Sequence, residues 1–189
     1  MFGDLLRPFG YLTIRHESSL PVFVNWVFPG VFAIACILLG KWPGVQVQLL
    51  GDTGLVNLLL GFIQTLTGFY LAALAAMATF NNAGMDEIMP GKPPEITVKY
   101  NGTSTKVLAT RRRFLCSMFA YLTVFSFLFT LFSIAVLSAG AASADLLVTE
   151  SRHWFRLVFV FAYLFAVAHM TFITMWGLFY IGERVHTPG

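Results

Sequence analysis

Residues Thr110 to Leu137 read TRRRFLCSMFAYLTVFSFLFTLFSIAVL, three arginines running into a stretch from Phe114 onward that holds no charged residue. A helix needs roughly 20 consecutive apolar residues to cross the hydrocarbon core of a bilayer, and this stretch is long enough. The composition of the whole chain extends the reading: of 189 residues, 57% are hydrophobic, 16% aromatic and 11% charged. Soluble domains carry about 25% charged residues, so that class is excluded. Three further runs meet the same criterion, at about Val22 to Leu39, Gly54 to Phe80 and Phe155 to Tyr180. None contains Asp, Glu or Lys, and their one arginine, Arg156, stands at an end. Barrel strands would be shorter and would alternate apolar with polar residues. The fold class expected is therefore an all-α integral membrane protein, one transmembrane domain over residues 1–189 with helical spans at about 22–39, 54–80, 114–137 and 155–180.

Charge orients it. With successive loops on alternate sides, Arg7, Arg15, Lys92, Lys99, Lys106, Arg111, Arg112, Arg113 and Arg184 share one side, against Lys41, Arg152 and Arg156 on the other. Cytoplasmic loops collect Lys and Arg, so both termini and the loop at 84–113 are expected in the cytoplasm. The first apolar run is followed by GKWPG, with no A-x-A-like cleavage site, and reads as a retained anchor. The NGT at Asn101 to Thr103 fits a glycosylation acceptor but falls on the cytoplasmic side, where it reads as a turn.

That turn separates EITVKY, which alternates Ile96, Val98 and Tyr100, from TKVLAT, and the pattern predicts a short β-hairpin between the second and third spans. Lys99 and Lys106 on the hairpin and Arg111, Arg112 and Arg113 beyond it form a candidate site for a phosphate-bearing ligand or an acidic partner. A triplet at a cytoplasmic helix entry is more often a topology anchor touching lipid headgroups, and that reading stands ahead of the ligand site. Upstream, Phe2, Leu5, Leu6, Phe9 and Leu12 recur opposite Asp4 and Arg7, with Pro8 interrupting, which predicts a segment lying along the membrane interface.

Polar groups at membrane depth are costly, and each demands an account. In the second span Gln64, Gly68, Ala72 and Ala76 follow at intervals of four, a flat face suited to close helix packing. In the third, Thr123, Ser126, Thr130 and Ser133 form a hydroxyl stripe, suited to a pore lining or to bonding back onto the helix's own carbonyls. His169 stands near the middle of the fourth span, followed by Thr171 and Thr174. It reads either as a buried neutral imidazole bonded to a neighbouring helix or as a gating group.

Several chemistries lack their residues. No span carries a carboxylate for ion-coupled transport, and His16, His153 and His186 lie outside the spans, so a second haem ligand at depth is missing. Cys36 and Cys116 form no C-x-x-C, the His and Cys spacing gives no metal pattern, and no G-x-S-x-G, H-E-x-x-H or P-loop occurs. Ser126 with His169 is the one conceivable nucleophile and base, with nothing to orient it. Neither enzyme activity, catalytic residues, metal nor cofactor is expected.

With four helices, termini inside, a basic cytoplasmic loop and almost no other soluble part, the chain resembles the membrane subunits of bacterial anti-phage defence systems such as Hailong and Kiwa. The resemblance implies a homo-oligomer in the bacterial inner membrane, controlled by a cytoplasmic protein or by a nucleotide or nucleic-acid ligand. Two functions follow as expectations. One is an oligomeric channel-like effector whose copies pack through Gly68, Ala72 and Ala76 and whose polar wall is drawn from Gln64, Ser126, Thr130, Ser133 or His169. The other is a sealed scaffold that recruits a soluble partner and conducts nothing.

Overall fold

The computed structural model describes residues 7–14, 20–41, 48–49, 54–79, 83–89, 93–100, 103–143 and 149–184. Four helical segments in it are long and apolar enough to cross a membrane, as expected of a multipass membrane protein. The first is α1, Phe28–Gly40, which continues a π-helical turn at Phe23–Val27. The others are α2, Leu55–Thr79; α3, Arg111–Ser143; and α4, Thr149–Arg184. Both α3 and α4 extend past the apolar runs that announce them, so the arginine triplet lies inside the first turn of α3.

The wider turn before α1 has a cause in the sequence. Pro29, in the first turn of α1, has no N–H to give the carbonyl four residues earlier, which is that of Asn25. The carbonyl is left for a partner outside its own helix, a situation in which π-turns are common.

Packing proceeds in pairs: α2 lies along α3, α1 lies along α4, and a shorter contact between α3 and α4 joins the pairs. The buried face of α2 repeats every seven residues, with Val56, Ile63, Tyr70 and Met77 all turned inward. Phe114, Leu115, Met118, Phe119 and Leu122 of α3 are buried in the same core. A seven-residue repeat is the spacing of a helix seam that meets a close partner along its length. Gly68 and Ala72 fall on the opposite face of α2 and are exposed, and a Cβ built at Gly68 would meet nothing within 4 Å. The small residues therefore take no part in packing within one chain. The close approach is made instead at Gly177 of α4, where a Cβ would run into the side chain of Met118.

Residues Arg7–Thr13 form a 3₁₀ helix that packs against α3, where an interfacial segment was expected. Pro8 is tolerated because it sits in the first turn, where its missing N–H is not needed. Tyr11 is 4% exposed and stacks on Tyr121 with ring centroids 5.4 Å apart, while Phe9 meets Tyr121 edge-on at 5.8 Å. Aromatic stacking thus draws the segment into the bundle, and Leu12 is left exposed. Residues 1–6, with Phe2, Asp4, Leu5 and Leu6, lie outside the described part.

Between α2 and α3, strand β1, Glu95–Tyr100, pairs antiparallel with β2, Thr103–Leu108, in a register that sets Glu95 against Leu108 and Tyr100 against Thr103. Asn101 and Gly102 lie outside the described residues. Hydrogen bonds from Met89 N to Ala109 O and from Arg111 N to Glu87 O carry the pairing down to the start of α3.

Gly177→Leu is expected to destabilise the bundle by about 1–3 kcal/mol, the usual cost of overfilling a close contact. Gly68→Leu should leave the fold of the single chain unchanged. Thermal unfolding of both variants in mild detergent checks the contrast.

Candidate functional site

The bundle holds three polar layers, threaded by Tyr163, His169 and Thr174 of α4. At six and five residues apart, they stand about 9 and 8 Å from one another along the helix axis. The middle layer joins four parts of the chain. His169, 4% exposed, points Nδ1 at the Asn25 carbonyl at 2.7 Å and Nε2 at the Tyr121 hydroxyl at 2.7 Å. A carbonyl can only accept, so Nδ1 carries the proton and donates it there. In the neutral ring Nε2 then accepts from Tyr121 Oη. The imidazole thus takes the acceptor that Pro29 leaves free. Trp26, Tyr121, Phe125 and Phe165 surround the ring with centroids 5.8 to 6.1 Å away.

Tyr11 brings the N-terminal segment to the same place. Burial pushes the Tyr11 phenol up, with the Asn25 amide beside it pulling the other way. Neither Tyr11 Oη nor Asn25 Oδ1 closes a hydrogen bond. The middle layer therefore sets Tyr11 and the Asn25 amide beside a fully bonded histidine.

The flanking layers also use tyrosine. Tyr70 Oη of α2 lies 2.6 Å from Thr174 Oγ1, whose own proton goes to Met170 O at 2.6 Å. Tyr163 Oη lies 2.9 Å from Ser133 Oγ, which donates to Phe129 O at 2.8 Å. The remaining hydroxyls turn back on their helix: Thr123 to Phe119 O, Ser126 to Thr123 O and Thr130 to Ser126 O. Ser126 and His169 do not pair, because each is bonded elsewhere.

At the sheet end of the bundle the arginine triplet divides. Arg112 grips Asp86 with both arms of its fork, Nε to Oδ1 at 2.8 Å and Nη2 to Oδ2 at 3.0 Å, and gives Nη1 to Met77 O at 3.0 Å. Met77 is in the last turn of α2, where carbonyls lack helical donors and the helix dipole favours a cation. Arg111 gives Nη1 to Gly84 O at 3.1 Å and stands 3.6 Å from Glu87. Three cations at the N-terminus of α3 oppose its dipole, and the Asp86 and Glu87 carboxylates offset them. Arg113 is exposed; its backbone N–H is capped by Thr110 Oγ1 at 3.3 Å.

Of the residues singled out in the sequence, Ser126, Ser133 and His169 are buried and Thr130 is half-buried. Gln64 faces outward on α2 with Gly68 and Ala72, and it has no hydrogen-bond partner among the described residues; Ala76 is half-buried. Gln64 and His169 do not meet within the chain. Lys99 and Lys106 are described through their strands alone; opposite Ser104 and Thr97, they occupy positions on the same face of the sheet. Sequence reasoning passed over Asn25, Tyr70, Tyr121 and Tyr163. A signal for Asn25 exists, since Pro29 four residues on marks its carbonyl as free. The tyrosines carry no such signal, because an aromatic within an apolar run reads as apolar. The chain matches no protein-family profile, no curated protein and no solved structure.

Tyr121→Phe removes a buried hydrogen bond between helices and is expected to lower stability by about 0.6–1.7 kcal/mol, measured by unfolding in detergent. Arg112→Lys keeps the charge and loses the fork. It should speed amide hydrogen exchange over residues 83–89, consistent with a cost of about 1 kcal/mol, whereas Arg113→Lys should leave exchange unchanged.

Proposed function

We propose that the chain is the subunit of a homo-oligomeric, channel-like effector of the bacterial inner membrane, controlled through its basic cytoplasmic loop by a soluble protein or an anionic ligand. Gln64 carries the reading. Its amide faces outward at membrane depth with no hydrogen-bond partner among the described residues, flanked on the helix surface by Gly61 and Gly68. Lipid tails cannot satisfy an amide, and small neighbours let a second helix come close, so another copy of α2 is the fitting occupant. Thr123, Ser126, Thr130 and Ser133 of α3 are bonded within the chain, so a polar wall would come from Gln64 as copies gather.

Control fits the same helix. Strand β2 runs through Ala109 and Thr110 into α3, whose Arg111 and Arg112 hold the 83–87 segment and the last turn of α2, so a load on the sheet would reach the helix that carries Gln64. Lys99, Lys106 and Arg113 supply cations for such a partner, with Arg111 and Arg112 holding the platform. Orientation follows the charge bias, with sheet and termini in the cytoplasm. The bonding of His169 and of the α3 stripe hydroxyls within the chain favours a second reading, a non-conducting scaffold that recruits a soluble partner.

Two measurements separate these. Single cysteines at Gly102 and Ser143 should label from opposite sides of the membrane, Gly102 from the cytoplasm; labelling of both by an impermeant reagent added outside removes the topology. In planar bilayers the unmodified protein should conduct, and Gln64→Leu and Gly68→Leu should each cut conductance and yield monomer in native mass spectrometry. A stable oligomer that passes no current leaves the scaffold.

A further inference from the structure

At the end of the bundle away from the sheet, a groove of about 300 Å³ opens between α1 and α4. Ile34, Ile37 and Leu38 form one wall, Leu157, Val158 and Phe161 the other. Ring contacts close the space between the helices lower down, where Trp26 meets Phe165 and both Phe28 and Phe32 meet Phe172. Beyond Phe32 the α1 side chains are aliphatic and the space stays open. The groove has a charged end. Lys41, the residue that closes the C-terminus of α1, completes its lining, and its backbone N–H bonds the last carbonyls of that helix. Arg156 immediately precedes the wall residue Leu157.

We propose that this groove holds one acyl chain of an anionic phospholipid from the leaflet remote from the sheet, with the lipid phosphate on the Lys41 ammonium. The walls are apolar throughout and would reject a hydrated ion or a polar metabolite. The volume is at the small end of ligand pockets, roughly 300–1,000 Å³, and suits one chain rather than a whole lipid. Lys41 follows the end of the apolar span, at the depth where headgroup phosphates lie, and a lysine there keeps its stem on the groove while its charge reaches the headgroup. The cation therefore stands where the phosphate of a lipid with one chain in the groove would emerge.

Native mass spectrometry of the full chain, titrated with phosphatidylglycerol and with phosphatidylcholine of identical chains, tests this. We expect one phosphatidylglycerol per chain, held on the order of tenfold more tightly than phosphatidylcholine, the scale of one charge-assisted hydrogen bond. Lys41→Gln should reduce the preference to within about twofold, the residue left by non-specific attraction to basic protein. Val158→Trp, which fills the groove, should weaken both lipids, with Leu38→Phe as the second filling variant should the first fail to fold. Excess glycerol 3-phosphate should not displace the lipid. Equal retention of the two lipids by the unmodified chain, a preference that survives Lys41→Gln, or displacement by the soluble phosphate each overturns the proposal.

Discussion

Lipid tails neither donate nor accept hydrogen bonds, so every polar atom that the four helices carry into hydrocarbon must be answered by the protein. The chain meets this demand in two ways. Short hydroxyls bond back to their own helix, as Thr65, Thr67, Thr123 and Thr171 do, and this places no condition on neighbouring helices. Three of the bonds across helices join two side chains within the bundle, and each involves a tyrosine: Tyr70 with Thr174, Tyr121 with His169 and Tyr163 with Ser133. A phenol suits the task because its rigid apolar ring fills core volume while its single hydroxyl reaches one partner. Each such bond fixes the rotation of two helices at once, and three of them along α4 hold its neighbours in register. Gln64 departs from this economy on the outer surface of α2, which is why the oligomeric reading rests on it.

At the membrane boundary the same demand takes an electrostatic form. The free carbonyls ending α2 and the positive end of α3 would each need a counterpart, and the Arg112 guanidinium with its Asp86 partner serves both. Two members of the triplet are structural, and Arg113 is left facing outward.

The number and approximate bounds of the spans were legible because run length against bilayer thickness is a nearly one-dimensional problem. Which face of each helix turns inward was not. In a soluble helix the polar face points to water, but in these spans both faces are apolar and periodicity loses its meaning. The interval-of-four series from Gln64 to Ala76 therefore stood out, although the buried seam is the sevenfold series of Val56, Ile63, Tyr70 and Met77, hidden among equally apolar neighbours. His169 was legible as a group needing a partner, but its partners sit on other helices, and Tyr121 announces itself as one more aromatic. Tyr11 was missed for a further reason: its burial depends on rings of α3 that no local pattern connects to it.

The middle polar layer also orders events in time. Asn25 and His169 are 144 residues apart, and Tyr121 lies 110 positions after Tyr11. Synthesis proceeds from the N-terminus, so the first span is in place before the histidine that its free carbonyl requires has been made. The 3₁₀ segment waits for α3, and the Asn25 carbonyl waits for α4. A helix translated after the other three is thus the one that completes the first, and a chain stopped short of His169 would present an unfinished N-terminal span to whatever surveys the membrane for unassembled subunits.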